Sequence, residues 1–425
     1  MASPKRDVVI ESLAPGGDGV AHLEIESERR AVFVPHAAPG DVLRVEVDAS
    51  TRPARARVFE LVTGGPDRVS AACIWASRCG GCDWMHLSLE AQAKTHVQHV
   101  RAALPAAWRD RAIEVHPAAA SAGYRSRARV HARADKRGRV AVGMHEAKTH
   151  APVEVERCIV LDPALEPVRQ ALGALLDGST GRGDIRLALG SRRLPVLDVD
   201  WNGELAAAVF GRIERAVADG TLAGAQIHLH GANRPARIGD PTPWMTGADG
   251  EPLELAAGGF AQPSEAGSAE LAHHVAGLAA AQGAESGVEL YAGAGNLTVL
   301  LARVIPALVA VESDEASVAA ARVNLAARGA KARVVHGDAE RFEWARATKV
   351  LVLDPPRTGA KRVAERLAAG GPRPPVVLYV SCDPQTLGRD LALVAPVYDA
   401  TSVHTFELFP QTSHVETVIA LARRG

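Results

Sequence analysis

Cysteine is scarce in this chain: five in 425 residues, at positions 73, 79, 82, 158 and 382. An odd number, with three of them inside ten residues, excludes the evenly paired disulfide framework of small secreted domains. Excess charge is lacking as well. The net charge is -1, so the chain as a whole is no polycation and any grip on a polyanion has to be local. Long hydrophobic runs are absent too. The opening residues MASPKRD form a polar segment without the apolar core of a signal peptide, and the apolar stretch Leu297 to Val311 is interrupted by Arg303 and Pro306. These absences predict a soluble, cytoplasmic chain with no membrane segment. Its length exceeds what one ordinary core organises, which points to two or three domains.

The five cysteines divide four and one. Cys73, Cys79 and Cys82 follow a C-x5-C-x2-C spacing with Gly80 and Gly81 between the last two, and Cys158 lies downstream in VEVERCIVLDP. Three close thiols and a distant fourth can close four-coordinate ligation around zinc or an iron-sulfur cluster, and ligand type leaves both open. The spacing differs from the C-x3-C-x2-C of radical enzymes, so no radical chemistry is inferred. Cys382 stands apart. Val376 to Val380 is a short apolar run rich in β-branched residues that reads as a buried parallel strand, and Cys382 follows it in a turn before the helical start at Thr386. A helix N-terminus and the nearby arginine would favour thiolate there, the form a nucleophile needs.

Residues 1 to about 65 read as five short strands, Val8 to Leu13, Gly19 to Glu24, Arg30 to Pro35, Val42 to Val47 and Ala54 to Val62, separated by Pro-Gly turns; this predicts a small oligonucleotide-binding type barrel. Its charge does not mark a nucleic-acid grip, since residues 1–70 hold 9 basic and 11 acidic side chains. The basic patch comes later. From Lys94 to Arg139 there are 11 basic and 3 acidic residues, and strand alternation would put Arg125, Arg127, Arg129 and Arg133 on one face as a ladder for RNA phosphates. Between about 140 and 250, strand-like pieces (Val196 to Trp201, Leu205 to Phe210, Gln226 to His230) alternate with amphipathic stretches such as Leu165 to Leu176, a central domain without a chemical motif. Helix Glu265 to Gln282 follows GGFAQP.

After residue 285 a βαβ rhythm sets in: Val288 to Tyr291, a helix from Leu297, Ala307 to Glu312, a helix over 314–327, Ala332 to Val335, Val350 to Leu353, Val376 to Val380, and late strands near 401–408 and 415–421. It predicts a mostly parallel sheet covered on both faces, a Rossmann-like α/β domain. Gly293 and Gly295 after the first strand would let backbone approach a ligand, and Glu312 at the end of the second would take a ribose diol. NAD would fit that much. Thr298 replaces the third glycine of G-x-G-x-x-G, however, and the acidic Glu289 suits the cationic methionine part of S-adenosylmethionine better than a pyrophosphate. Asp354, in DPPR, is held at a strand tip by two prolines. Glu416, beside an apolar strand, would have a raised pKa and serve as a base.

Taken together, the order APGGDGVAHLE then AVFVPHAAPGDVLRVEV, which resembles a TRAM domain, and the motifs DPPRTGA, YVSCDPQTLGRDL and FPQTSHVETV resemble the RNA uracil-C5 methyltransferases over nearly the whole chain. That resemblance implies a TRAM-like barrel over 1–65, a central domain over 66–260 carrying the cysteine cluster, and an S-adenosylmethionine-dependent methyltransferase domain over 261–425. It implies a [4Fe-4S] cluster, ahead of zinc, on Cys73, Cys79, Cys82 and Cys158. It implies Cys382 as nucleophile, Glu416 as base, and cofactor contacts from Gln262, Tyr291, Gly293, Gly295, Asn296, Glu312, Asp338 and Asp354. The expected substrate is RNA, 23S ribosomal RNA ahead of tRNA, and the expected state a monomer. The sequence departs from the family at Glu289, Ala292 and Asp383. Two rivals remain: a non-catalytic RNA-binding iron-sulfur protein, and a dinucleotide oxidoreductase with an iron-sulfur centre.

Overall fold

The computed structural model describes residues 5–25, 27–146, 149 and 151–425, so the first four residues of the polar opening segment lie outside the described part. Two compact units are present. The first is built on residues 5–99 with Glu146, Thr149 and Phe409–His414; the second comprises Val100–His145, residues 151–408 and Val415–Gly425.

In the first unit β1 (Arg6–Val9), β2 (Ser12–Leu13), β3 (Gly19–Ile25), β4 (Glu28–Val34), β5 (Val42–Asp48) and β6 (Ala54–Thr63) form one sheet ordered β1-β5-β6-β4-β3-β2. Alternate residues such as Val32, Val34, Leu43, Val45, Val47, Ala54 and Ala56 are buried together, as a period of two requires. The expected first strand is split, because the chain changes partners. β1 pairs with β5, then the Ile10 amide donates to Asp41 and the Glu11 amide to Val20, and β2 joins β3. One chain segment thereby serves both ends of the sheet and closes a small barrel. Asp41, fully buried in the β4–β5 connection, accepts hydrogen bonds from the Ala38 amide (2.6 Å), the Gly65 amide (2.9 Å) and Arg68 Nε (2.8 Å). Helix α1 (Leu89–Ala103) follows.

Among the described residues the second unit holds two large sheets and a two-stranded one. After β7 (Glu114–His116), strands β8 (Arg127–Ala134), β9 (Val140–His145), β10 (Pro152–Val153), β11 (Arg182–Leu189), β12 (Pro195–Asn202), β13 (Gly224–Leu229) and β14 (Ala236–Gly239) form a sheet ordered β10-β9-β8-β11-β12-β13-β14. Helices α2 (Glu166–Leu176) and α3 (Ala207–Ala218) contribute Val168, Leu172, Val209 and Ile213 to a core with Val130, Ile185, Leu187, Leu197 and Ile227. The sequence reading of Leu205 to Phe210 as a strand is corrected here. Val209 and Ile213, four residues apart and both buried, mark one helical face.

A short hairpin, β15 (Trp244–Thr246) and β16 (Pro252–Glu254), precedes α4 (Glu265–Ala280). Then come β17 (Ser286–Leu290), α5 (Thr298–Val304), β18 (Ala307–Glu312), α6 (Glu315–Ala327), β19 (Ala332–His336), β20 (Val350–Leu353), α7 (Lys361–Ala368), β21 (Val376–Ser381), α8 (Pro384–Val394), β22 (Tyr398–Phe406) and β23 (Glu416–Arg423). The sheet order is β19-β18-β17-β20-β21-β23-β22-β7. Strands β17 to β21 are parallel, and β23 enters antiparallel between β21 and β22. The edge strand β7 and the residues Val100, Leu104 and Trp108 belong to this sheet and its core, so residues well before 261 help to build it. The order reverses between β18-β17 and β17-β20, which opens a crevice at the strand ends where ligands of such sheets bind. Among the described residues no helix is long and apolar enough to cross a membrane.

Candidate active site

The ends of β17, β18 and β20 bring three carboxyl groups to one edge of the sheet. Glu312 is fixed at the tip of β18, with Oε2 accepting from the Gly293 amide (2.9 Å) and Oε1 from the amides of Ser313 (2.7 Å) and Asp314 (2.8 Å). Gly293 has φ +55 and open space where a β-carbon would stand, so its backbone is accessible to a ligand. Glu289 within β17 is almost fully buried; burial, with the charges of Asp354 and Glu312 adding to it, pushes it up to about 8. Burial pushes Asp354 up to about 7. Glu289 Oε2 and the hydroxyl of Tyr291, a residue held at φ +66, are buried without hydrogen-bond partners among the described residues. Unmet polar atoms beside three acids fit a polar cationic ligand and oppose a pyrophosphate.

Two expected cofactor residues are engaged elsewhere. The Asn296 side chain accepts from the Ala248 amide (3.0 Å) and donates to Ser268 Oγ (2.9 Å), tying the loop after β17 to the hairpin connection and α4. Asp338 is exposed beyond β19, accepts from the Glu340 amide (2.9 Å) and pairs with Arg341 at 3.3 Å.

Cys382 is half-buried at the end of β21. The turn that carries it is braced by Ser381, whose hydroxyl accepts from the Asp383 amide (3.3 Å), and by Asp383, which caps α8 by accepting from the Thr386 amide (2.8 Å). The expectation that the helix start would favour thiolate is overturned. Burial, then the negative charge of Glu416, pushes the thiol up to about 12, against the opposing pull of Arg357. The helix terminus is already occupied by Asp383.

Glu416 opens β23. Ser381 pairs with Thr417 across the antiparallel ladder, so the two residues one step beyond that pair are Cys382 and Glu416. Glu416 is buried, and burial followed by the charge of Asp354 pushes it up to about 8. Gln262 Nε2 donates to Glu416 Oε1 at 3.1 Å, and Glu416 Oε2 has no partner among the described residues. Five predicted residues, Gln262, Glu312, Asp354, Cys382 and Glu416, are thus linked by hydrogen bonds, register or mutual charge to the same set of strand ends.

The basic strand serves this site in a way its sequence did not suggest. The Ser126 amide donates to the Pro263 carbonyl (2.9 Å), and Arg127 Nη2 donates to the Gly259 carbonyl (2.9 Å). Arg125 bridges Ser264 through its backbone. These contacts hold the Gly258–Ser264 segment that carries Gln262. Burial lowers Arg127 to about 10, with Arg186 adding to the effect, so it is no open phosphate ligand. Arg129 is exposed and paired with Asp184, and Arg133 is exposed.

A clamp around Asp390 was missed in the sequence. Its carboxylate accepts from Tyr379 Oη (2.8 Å), the Ala360 amide (2.7 Å) and Arg389 Nε (2.8 Å), while Arg389 Nη2 donates to the Thr358 carbonyl (2.8 Å). It fastens the loop after Asp354 to α8. Arg357 was also missed as a functional charge, although its position in DPPR beside the strand tip could have signalled it.

In the first unit, all of Cys73, Cys79 and Cys82 are half-buried thiols. The stretch just after Cys82 grips another segment of the same unit. The Trp84 amide donates to the Gln411 carbonyl (3.0 Å), the Gln411 amide to Gln92 Oε1 (2.8 Å) and the Ser413 amide to Asp83 Oδ1 (3.0 Å).

A parallel sheet with one antiparallel strand inserted beside its last partner, and acidic groups at the tips of neighbouring strands, defines a class I methyltransferase domain, here preceded by a TRAM barrel. Residues 253–349 and 333–424 match the tRNA (uracil-5-)-methyltransferase family, and residues 5–59 match the TRAM domain. An RNA methyltransferase of Gloeobacter violaceus is 31% identical over 98% of this chain and 96% of its own. The 23S rRNA (uracil(1939)-C(5))-methyltransferase RlmD of Halomonas elongata is also 31% identical, over 98% of this chain and 89% of its own. The tRNA (uracil-54, C5)-methyltransferase of Pyrococcus abyssi, solved with S-adenosyl-L-homocysteine, has the same fold, with a TM-score of 0.77 at 21% identity over 98% of this chain and all of that one. The chain belongs to the RNA uracil-C5 methyltransferase family.

Proposed function

We propose that this protein methylates C5 of a uridine in RNA, with S-adenosylmethionine as methyl donor, and that its preferred substrate is a 23S-type ribosomal RNA. The observation that carries this reading is the placement of Cys382 and Glu416 at facing positions of β21 and β23, at the same sheet edge as Asp354. Ribosomal RNA is favoured because relatives named for it are 31% identical over nearly the whole chain, against 21% for the tRNA enzyme. The work is assigned to a monomer in the cytoplasm.

Glu289, Glu312, Asp354 and the Tyr291 hydroxyl would hold S-adenosylmethionine, with the open backbone at Gly293 leaving room for it and Gly295 in the same turn. When bound, it supplies an electrophilic methyl carbon. Uracil C5 is a poor nucleophile, and the chain's own residues change that. The Cys382 sulfur adds to C6, and the displaced electron pair gives C5 enolate character. After C5 is alkylated, Glu416 takes the C5 proton, the C5–C6 double bond re-forms and the Cys382 sulfur leaves. Gln262 orients the Glu416 carboxylate for that transfer. The uridine has to leave its stack to reach a strand-end pocket, and Phe260, 79% exposed two residues before Gln262, offers an aromatic face.

Cys73, Cys79, Cys82 and Cys158 are assigned to a [4Fe-4S] cluster of structural role, since methyl transfer moves no net electrons.

The test uses tritium release from RNA labelled at uridine C5. Cys382→Ala should abolish release and retain S-adenosylmethionine binding, and Glu416→Gln should accumulate a covalent protein–RNA adduct on denaturing gels. Full turnover by Cys382→Ala would refute the assignment. Comparing 23S rRNA with tRNA transcripts decides the substrate.

A further inference from the structure

Away from the catalytic strand tips, three histidines from distant parts of the sequence meet. His116 ends β7, His404 lies on β22 and His274 on α4. The parallel pairing of β7 with β22 sets Glu114 against His404 and His116 against Phe406. One ring nitrogen from each histidine lies within 4.8 Å of the other two. His116 Nε2 and His404 Nδ1 are 3.3 Å apart, which is about the edge of a tetrahedron with metal–nitrogen bonds of about 2.0–2.1 Å. The His274 ring centroid is 4.0 Å from that of His404 and 5.0 Å from that of His116. Its Nε2 is buried without a hydrogen-bond partner among the described residues.

The surroundings are those of a ligand set. His116 Nδ1 is 3.1 Å from Glu270 Oε1, the carboxylate–histidine arrangement that orients a metal-binding imidazole and directs its other nitrogen inward. Its ring stacks on Phe406 at 4.0 Å and 9°, which fixes the plane. The exposed carboxylate of Glu114 is 3.5 Å from His404 Nδ1, within reach of a fourth position. A proton shared between His116 and His404 could hold that pair without an ion. It would leave the His274 nitrogen unmet, and an unmet buried polar group is unfavourable.

We propose that His116, His274 and His404 form a divalent metal site suited to zinc, with the fourth position taken by Glu114 or water. The ion would staple the edge strand β7 and helix α4 to β22. Because α4 begins at Glu265, just after Gln262 and its Ser264 cap, the staple also secures the helix that follows the catalytic loop.

The experiment compares the full-length protein with His274→Gln and His116→Gln, titrating Zn2+ by calorimetry and following thermal unfolding. Wild type should bind one more zinc ion than either variant, and saturating zinc should raise its unfolding midpoint by several degrees, a shift lost in both variants. The same stoichiometry and midpoint shift in all three proteins would overturn the site. So would a thiolate-to-metal charge-transfer band for the added equivalent when Co2+ replaces Zn2+, because that places the ion on cysteine. Two histidine variants guard against one that fails to fold. Calorimetry on Cys382→Ala separates this outcome from failure of the methyl-transfer reading, since zinc binding should be unchanged there.

Discussion

Cys382 and Glu416 face each other one step beyond the Ser381–Thr417 pair, so the carboxylate proposed as base also opposes ionisation of the thiol proposed as nucleophile. Burial is the larger cause of the raised thiol and Glu416 the next. A negative charge raises a thiol pKa, and removing it lowers the value. In Glu416→Gln, Cys382 should therefore be alkylated by iodoacetamide several-fold faster than in wild type at pH 9, where Glu416, at about 8, is mostly ionised in wild type. Peptide mass spectrometry resolves Cys382 from the other four cysteines. Identical pH profiles would mean the two groups do not sense one another.

Gln262 stabilises the ionised form of Glu416 by donating to it at 3.1 Å, which lowers a pKa that burial raises. Gln262→Ala removes that donor, so the rise of log kcat/KM with pH should move to higher pH. A hydrogen bond to a charged group is worth about 1.5–3 kcal/mol, so kcat/KM at pH 7.5 should fall roughly ten- to a hundredfold. A pH–rate profile on single-site RNA checks both. A lower rate with an unmoved profile would assign Gln262 to substrate binding.

Arg127 and Arg133 share a strand and should behave differently. Arg133 is exposed; if it meets a phosphate, Arg133→Ala reduces the slope of log K against log salt by about 0.7–0.9. Arg127 instead holds the Gly259 carbonyl. Arg127→Ala should lower kcat with little change in that slope, as read from filter binding at several salt concentrations beside turnover.

Asp41 ties the barrel to Arg68 and is held below the usual carboxylate range. Burial pulls it upward, but the Arg68 and backbone hydrogen bonds prevail. A lowered folded pKa contributes stability above the unfolded value and loses it as pH falls through the folded one. Asp41→Asn should thus cost about 3–5 kcal/mol at pH 7, the range for breaking one side of a buried pair. The gap between variant and wild type should narrow towards pH 3. Urea unfolding of the barrel at both pH values measures it.

The C-terminal sheet was legible because its central strands β17, β20 and β21 are buried on both faces. Val350–Leu353 is a continuous apolar run and Ala307–Glu312 is apolar up to its terminal acid, and the ends of both coincide with the observed strands. Leu205 to Phe210 misled because LAAAVF shows no clear period until Ile213 adds the next helical turn. The three-residue strand β7 is too short to carry a pattern at all. At the site, residue types and strand ends located Cys382, Glu416, Asp354 and Glu312. What stayed hidden depended on charges and loops far away in sequence: Glu416 acting on Cys382, the Gly259 carbonyl occupying Arg127, and Ala248 with Ser268 occupying the Asn296 amide.

Two peptide bonds separate His414 from Glu416. Upstream of that short tether, Ser413 and Gln411 are anchored by Asp83, Trp84 and Gln92, and Asp83 adjoins Cys82. A change in the segment that follows Cys82 is therefore two peptide bonds of chain away from Glu416, the carboxylate proposed as base.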